Sequence, residues 1–139
     1  MSPPIHLKEH FDRGSRYLVA VGFQVFMATE HAEFYPVRRR RLPAIMVDLP
    51  QLWERFGELA GEKIEFTKPD IAKVAGVSPR MIRRWQRVGW LPEGVGPFSR
   101  ADAFAAGLVG ALVRAGANEI CISKASHFVR IGEPSRVRR

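Results

Sequence analysis

Two helix starts lie eleven residues apart with a glycine between them, and few folds accommodate that pattern. Thr67-Lys68-Pro69-Asp70 reads as a capping box with proline in the first turn, so a helix begins there. Ile71, Val74 and Ala75 give that helix an apolar face, and Gly76 supplies the left-handed residue that stops it. Ser78-Pro79 then opens a second helix, with serine as N-cap and proline at the first helical position. A helix, a short turn containing glycine and a second helix form a helix-turn-helix unit.

The second helix divides into two stripes. Met81, Ile82, Trp85 and Val88 are expected on one side, and Arg80, Arg83, Arg84 and Arg87 follow i, i+3, i+4, i+7 on another. At about 100° per residue the stripe centres stand roughly 140° apart. The stretch from Ile71 to Gly89 holds no acid. A merely solvated helix face usually mixes signs, whereas four arginines side by side repel one another unless an anion meets them. The chain-wide charge agrees. The net charge is +8, yet residues 1–65 balance and the excess sits in 66–100 and the C-terminal part. Charge concentrated in this way is the footprint of a polyanion-binding surface.

The rest of the chain reads as α+β: a small β-rich N-terminal unit with one helix, followed by a mainly helical part. Residues 1–15 lack strong signals and are expected to be weakly ordered. Arg16 to Thr29 is apolar on both faces and rich in β-branched and aromatic residues, which predicts a buried strand bent near Gly22. Glu33 to Val37 and Leu42 to Val47 read as two further strands. Arg38, Arg39, Arg40 and Arg41 lie between them, either as a charged hairpin edge or as a contact to phosphate or to a partner. Asp48-Leu49-Pro50-Gln51 starts a helix whose apolar stripe would be Leu52, Phe56 and Leu59, ending at Gly61. Ser99 and Asp102 form a second capping box for a helix to about Ala115. After Gly116, Asn118 caps another helix through Phe128, unless Glu119 to Ser123 is a strand. The expected division is 1–60 as the β-rich unit, 61–130 as the helix-turn-helix domain and 131–139 as a basic tail.

Three segments carry a family resemblance: Asp70 to Ser78, Met81 to Pro92, and Phe98-Ser99-Arg100-Ala101-Asp102. On these, residues 66–120 resemble the N-terminal winged-helix DNA-binding domain of MerR-type regulators and the related excisionase-type proteins. The resemblance implies that the second helix enters the major groove of duplex DNA. Arg83 stands where such regulators carry a DNA-gripping arginine, and Arg84 and Trp85 stand where they usually carry two tyrosines. Trp85 reads better as a core anchor, and Arg84 as a guanidinium replacing a phosphate-contacting hydroxyl. The sequence departs from the family in two places. The wing, Glu93 to Pro97, is short, and the stretch after Gly116 leaves no room for the long helix that pairs MerR dimers.

These readings converge on a cytoplasmic DNA-binding transcriptional regulator or architectural factor that needs no cofactor. Its expected contacts are Lys73, Ser78, Arg80, Arg83, Arg84, Arg87 and Arg100. The alternative is a protein-interaction module that binds and modulates the transcription machinery, RNA polymerase or its sigma factor, through the same fold and the N-terminal unit. Other classes find little support. The longest apolar run, Tyr17 to Ala28, is shorter than the roughly 20 residues that span a bilayer, and the N-terminus has no secretory h-region. Cys121 is the sole cysteine and is expected to be buried and inert, which excludes an internal disulfide. His6 and His10 have helical spacing but no third metal-ligand type nearby. No catalytic triad, carboxylate pair beside a histidine, or phosphate-cradling loop is present, so no enzyme is expected.

Overall fold

The structure, a computed structural model, describes residues 3–29 and 44–132. The strand expected at Glu33 to Val37, the run Arg38 to Arg41 and nearly all of the basic tail lie outside the described residues. The remainder is an α+β fold in which an N-terminal three-stranded antiparallel sheet precedes most of the helices.

Residues expected to be weakly ordered form a helix, α1 (Ile5–Asp12). Its Leu7 is fully buried, and the rings of His6 and His10 both lie edge-on against Phe128, at 5.4 and 5.5 Å between centroids. Those ring contacts hold a segment that local sequence signals alone do not.

The long apolar segment is a hairpin rather than one bent strand. β1 (Ser15–Val21) and β2 (Gln24–Thr29) pair antiparallel, with Val21 opposite Gln24 and Leu18 opposite Met27. Gly22 adopts φ +55° in the tight turn, a conformation open to glycine, so the chain reverses where a kink was expected. β3 (Ala44–Asp48) pairs with the other edge of β1, giving the order β2-β1-β3. The central strand is buried from Leu18 to Val21, which explains why it is apolar on both faces. Asp48 ends β3 and caps α2 (Leu49–Ala60), accepting from Gln51 N–H at 3.0 Å and bonding Arg16 at 3.1 Å. Phe56 faces the core from α2 as expected, whereas Leu59 is half exposed and Leu49 takes the buried place instead.

Four further helices follow: α3 (Lys68–Ala75), α4 (Pro79–Arg87), α5 (Arg100–Ala115) and α6 (Glu119–Ile131). The choice at Glu119 to Ser123 resolves to helix, because the Asn118 side chain accepts from Cys121 N–H at 2.9 Å. α5 is the centre of the molecule, with Ala103 to Gly110 buried without interruption. One apolar cluster runs from Leu7 and Leu18 through Phe56 and Ile82 to Phe128 and Val129. The N-terminal unit, which among the described residues holds two helices rather than one, thus shares its core with the helices that follow. Among the described residues, no helix is long and apolar enough to cross a membrane.

Small residues on α5 let α3 approach closely. A Cβ on Gly110 would stand 2.8 Å from the carbonyl oxygen of Ala75, the last residue of α3. Gly110→Ala is therefore expected to destabilise the fold by about 1–3 kcal/mol despite alanine's better helix propensity, because the obstacle is backbone. Gly57, in the interior of α2 with no neighbour within 4 Å of such a Cβ, is the control. Gly57→Ala is expected to stabilise by about 0.5–1 kcal/mol. Chemical denaturation of both variants checks the pair, and equal shifts would contradict the close approach.

Candidate nucleic-acid interface

The turn between α3 and α4 is fixed by backbone and caps. Gly76 adopts φ +71°, ψ +32°, and its N–H and that of Val77 reach back to the carbonyls of Lys73 and Ala72 at 3.2 and 3.0 Å. This satisfies two carbonyls that the end of a helix would leave open. Two residues on, the Ser78 hydroxyl accepts from Met81 N–H at 3.2 Å and starts α4. α3 begins with the expected capping box. Thr67 N–H donates to the Asp70 carboxylate at 2.8 Å, Asp70 N–H donates to the Thr67 hydroxyl at 3.3 Å, and Lys63 pairs with the same carboxylate at 2.9 Å. Arg114 of α5 donates to the Ala75 carbonyl at 3.1 Å and so ties the turn to the central helix.

α4 separates its residues more sharply than the sequence suggested. Ile82 and Trp85 are buried, and with them Gln86. Met81 and Val88, expected to join the core, are 37% and 55% exposed. The two lie seven positions apart, almost in line along the helix axis, with Val88 at its C-cap. Gln86 fills the place that an apolar residue would take. Both hydrogens of its amide are used, by the carbonyl oxygens of Pro92 and Gly94 at 2.8 and 2.9 Å. The glutamine thereby anchors the short loop after α4, and Phe66 and Phe98 close the loop's base with a pair of backbone hydrogen bonds. A polar residue inside a helical stripe is the one signal that could have exposed this role. It reads equally well as surface, so sequence reasoning passes over it.

Arg80, Arg83, Arg84 and Arg87 are all exposed. Among the described residues, none of the four enters an ion pair. Arg84 and Arg87 lie in the last turn, where cations complement the helix dipole. Arg80 stands at the opposite end, where the dipole opposes it, so helix stability does not account for the set. Lys73 is exposed in the last turn of α3, just ahead of the turn. Ser78 is exposed, with its oxygen already serving the cap.

Arg100 is placed differently from the other expected contacts. Its guanidinium donates to the Lys63 carbonyl at 2.8 Å and lies over the rings of Phe56 and Trp53, 4.9 and 5.4 Å from their centroids. That half-buried cation already has partners within the fold and helps hold α5 against α2. Cys121 is buried, and burial pushes its thiol pKa up. It lies 3.3 and 3.4 Å from the carbonyl oxygens of Gly22 and Gln24 and serves the packing of α6 on the hairpin. Comparison with family models, with curated proteins and with solved structures returned no match.

The geometry yields two stability expectations. Ile82→Ala removes a fully buried side chain and is expected to cost about 2–5 kcal/mol. Arg83→Ala removes an exposed one and is expected to leave the melting temperature nearly unchanged. The reverse ranking in thermal melts would invert the assignment of the two faces. The second expectation concerns pH. The hydrogen bond from Thr67 N–H, helped by Lys63, lowers the Asp70 carboxyl from its ordinary 3.8 to about 2. A carboxyl depressed in the folded state adds stability above its unfolded pKa and loses it as pH falls through the folded one. Asp70→Asn is expected to cost about 1 kcal/mol at neutral pH, after allowing for solvent screening. The gap between wild-type and variant melting temperatures should close between about pH 4 and pH 2. A gap that stays constant over that range would show that the charge contributes nothing.

Proposed function

We propose that the protein binds duplex DNA as a transcriptional regulator or architectural factor, with α4 lying in the major groove. The observation that carries this reading is the exposed row Arg80, Arg83, Arg84 and Arg87, free of acids and of ion pairs among the described residues. Four cations on one helix face repel each other, and a phosphate backbone relieves that repulsion while releasing its own counterions. Guanidinium groups also bond bidentately to guanine edges, so the same row can both position the helix and read sequence. Lys73 and Ser78 extend the contact across the turn. Arg100 drops out, because its guanidinium is taken up by Lys63, Phe56 and Trp53. The resemblance to MerR-type and excisionase-type domains supports the same reading.

With Lys73 and the four arginines neutralising about four to five phosphates, the log–log salt slope should be about −4. Fluorescence anisotropy on a random duplex at several salt concentrations measures it. Arg83→Ala or Arg84→Ala is expected to weaken binding by about 1–3 kcal/mol where the side chain reads a base, without unfolding the protein. Absence of any binding at low salt would remove the proposal. Capture of RNA polymerase or a sigma factor that survives nuclease treatment would favour the interaction-module reading instead.

A further inference from the structure

The cationic face of α4 is not symmetric. Ile82, Trp85 and Gln86 are the buried residues of the helix and fix its inward direction. At about 100° per residue, Arg80, Arg84 and Arg87 point directly away from them. Arg83 stands roughly a quarter turn to one side of that row, and Met81 and Val88 roughly a quarter turn to the other. On the Arg83 side the cations run on to the flank. On the other side they stop and the flank is apolar, with Met81 37% and Val88 55% exposed.

The two apolar residues differ in where they stand along the helix. Met81 lies in the first turn, and its N–H is the one that the Ser78 hydroxyl holds at 3.2 Å. Its backbone is fixed from the turn between the helices, while its unbranched thioether side chain remains adaptable. Val88 is the C-cap, roughly 10 Å further along the axis. A helix-turn-helix presents the N-terminal residues of its second helix to base edges. Met81 is therefore placed to meet bases, and Val88 is not.

A duplex offers few apolar groups to such a side chain. Phosphates line the walls of the major groove, and the base edges carry hydrogen-bond donors and acceptors. The exception is the C5-methyl of a pyrimidine, carried by thymine and by 5-methylcytosine. Against a phosphate wall, Met81 would leave those anions uncontacted. Against a methyl, two apolar surfaces leave water together. Arg84, three residues on, is the neighbour of Met81 on the helix surface. The pair sets a guanidinium suited to guanine beside a side chain suited to a methyl.

We infer that Met81 is a specificity-determining contact of α4, reading the C5-methyl of a pyrimidine in the major groove. The inference rests on the DNA reading and narrows its ligand to duplexes with a methyl-bearing pyrimidine at one position. The full chain first selects its preferred sites from a random duplex library. Each thymine of a selected duplex is then replaced in turn by deoxyuridine, which lacks only the methyl, and fluorescence anisotropy compares the affinities. Binding is expected to weaken about fourfold at one thymine, the worth of one methyl withdrawn from water. With cytosine at that position, adding a C5-methyl is expected to strengthen binding by a similar factor. A gain confined to thymine would name thymine as the sole source of the methyl.

Met81→Gln keeps the length of the side chain and removes its apolar end, so it should bind the thymine and deoxyuridine duplexes equally. Met81→Leu and Val88→Gln should both keep the preference. Each readout is a ratio for one protein on two duplexes, so a change in stability cancels. Selected duplexes in which every thymine is replaceable without loss overturn the inference and leave the DNA reading standing. So does a Met81→Gln chain that keeps the preference, or a Val88→Gln chain that alone loses it. A chain that binds no duplex at low salt removes the DNA reading, and this contact with it.

Discussion

The contact on which the rest of the molecule depends is the crossing of α3 over α5. Gly110 has no side chain, and that lets the last carbonyl of α3 come within van der Waals reach of the α5 backbone. Gly107 faces Val74 in the same way, with room for ordinary contact. Arg114, one turn beyond Gly110, donates to that carbonyl and replaces the hydrogen bond lost where the helix ends. Since Gly76 to Ser78 follow at once, the position of α4 is inherited from this crossing through a turn with little freedom of its own. Ile82 and Trp85 then complete the packing from the α4 side. Any change in how α3 meets α5 is transmitted to the arginine face.

α6 does the corresponding work for the other half of the chain. Its inner face contributes Cys121, Ile122, Ala125, Phe128 and Val129 to the core. Its polar side chains hold two distant segments: Ser126 the residues after α4, and Asn118 and Lys124 the hairpin turn. The sheet is consequently not an appended unit. It is fastened to the same helix that steadies the end of α4, and Phe128 extends the contact to α1 through the rings of His6 and His10. A boundary near residue 60 divides the order of elements along the chain, and the apolar cluster runs across it.

How much was legible in the sequence follows from which forces were local. Caps are local, and they placed α2, α3, α4 and α5 correctly, because Asp48, Thr67, Ser78 and Ser99 bond to backbone only three residues away. Gly76 and Gly116 marked helix ends for the same reason, both adopting left-handed conformations. What escaped depends on distant partners. α1 has no side-chain cap and is held by Leu7 and by ring contacts to α6, more than a hundred residues away. The hairpin hid inside an apolar run because β1 is covered on both faces, so the usual alternation that betrays a turn was absent. In the site, the exposure of the four arginines was legible from helical spacing. The engagement of Arg100 was not, since its partners Lys63, Phe56 and Trp53 are brought to it by the fold.

α4 shows how one short helix serves structure and recognition without compromise between them. Looking down its axis, Ile82 and Trp85 point to the core, Gln86 points to the loop it anchors, and the arginines occupy the opposite side. Gln86 is the hinge of this division. An apolar side chain there would fill the same space but leave the carbonyls of Pro92 and Gly94 without those donors, and the loop would lose its fixed distance from the helix. Met81 and Val88 occupy the remaining flank, next to Arg84 and leading toward Trp90 and Ile120. The cationic surface and the apolar groove therefore meet along one edge of the helix. In the proposed reading, the charged face meets an anionic polymer, and that contact leaves the buried Ile82 and Trp85 untouched.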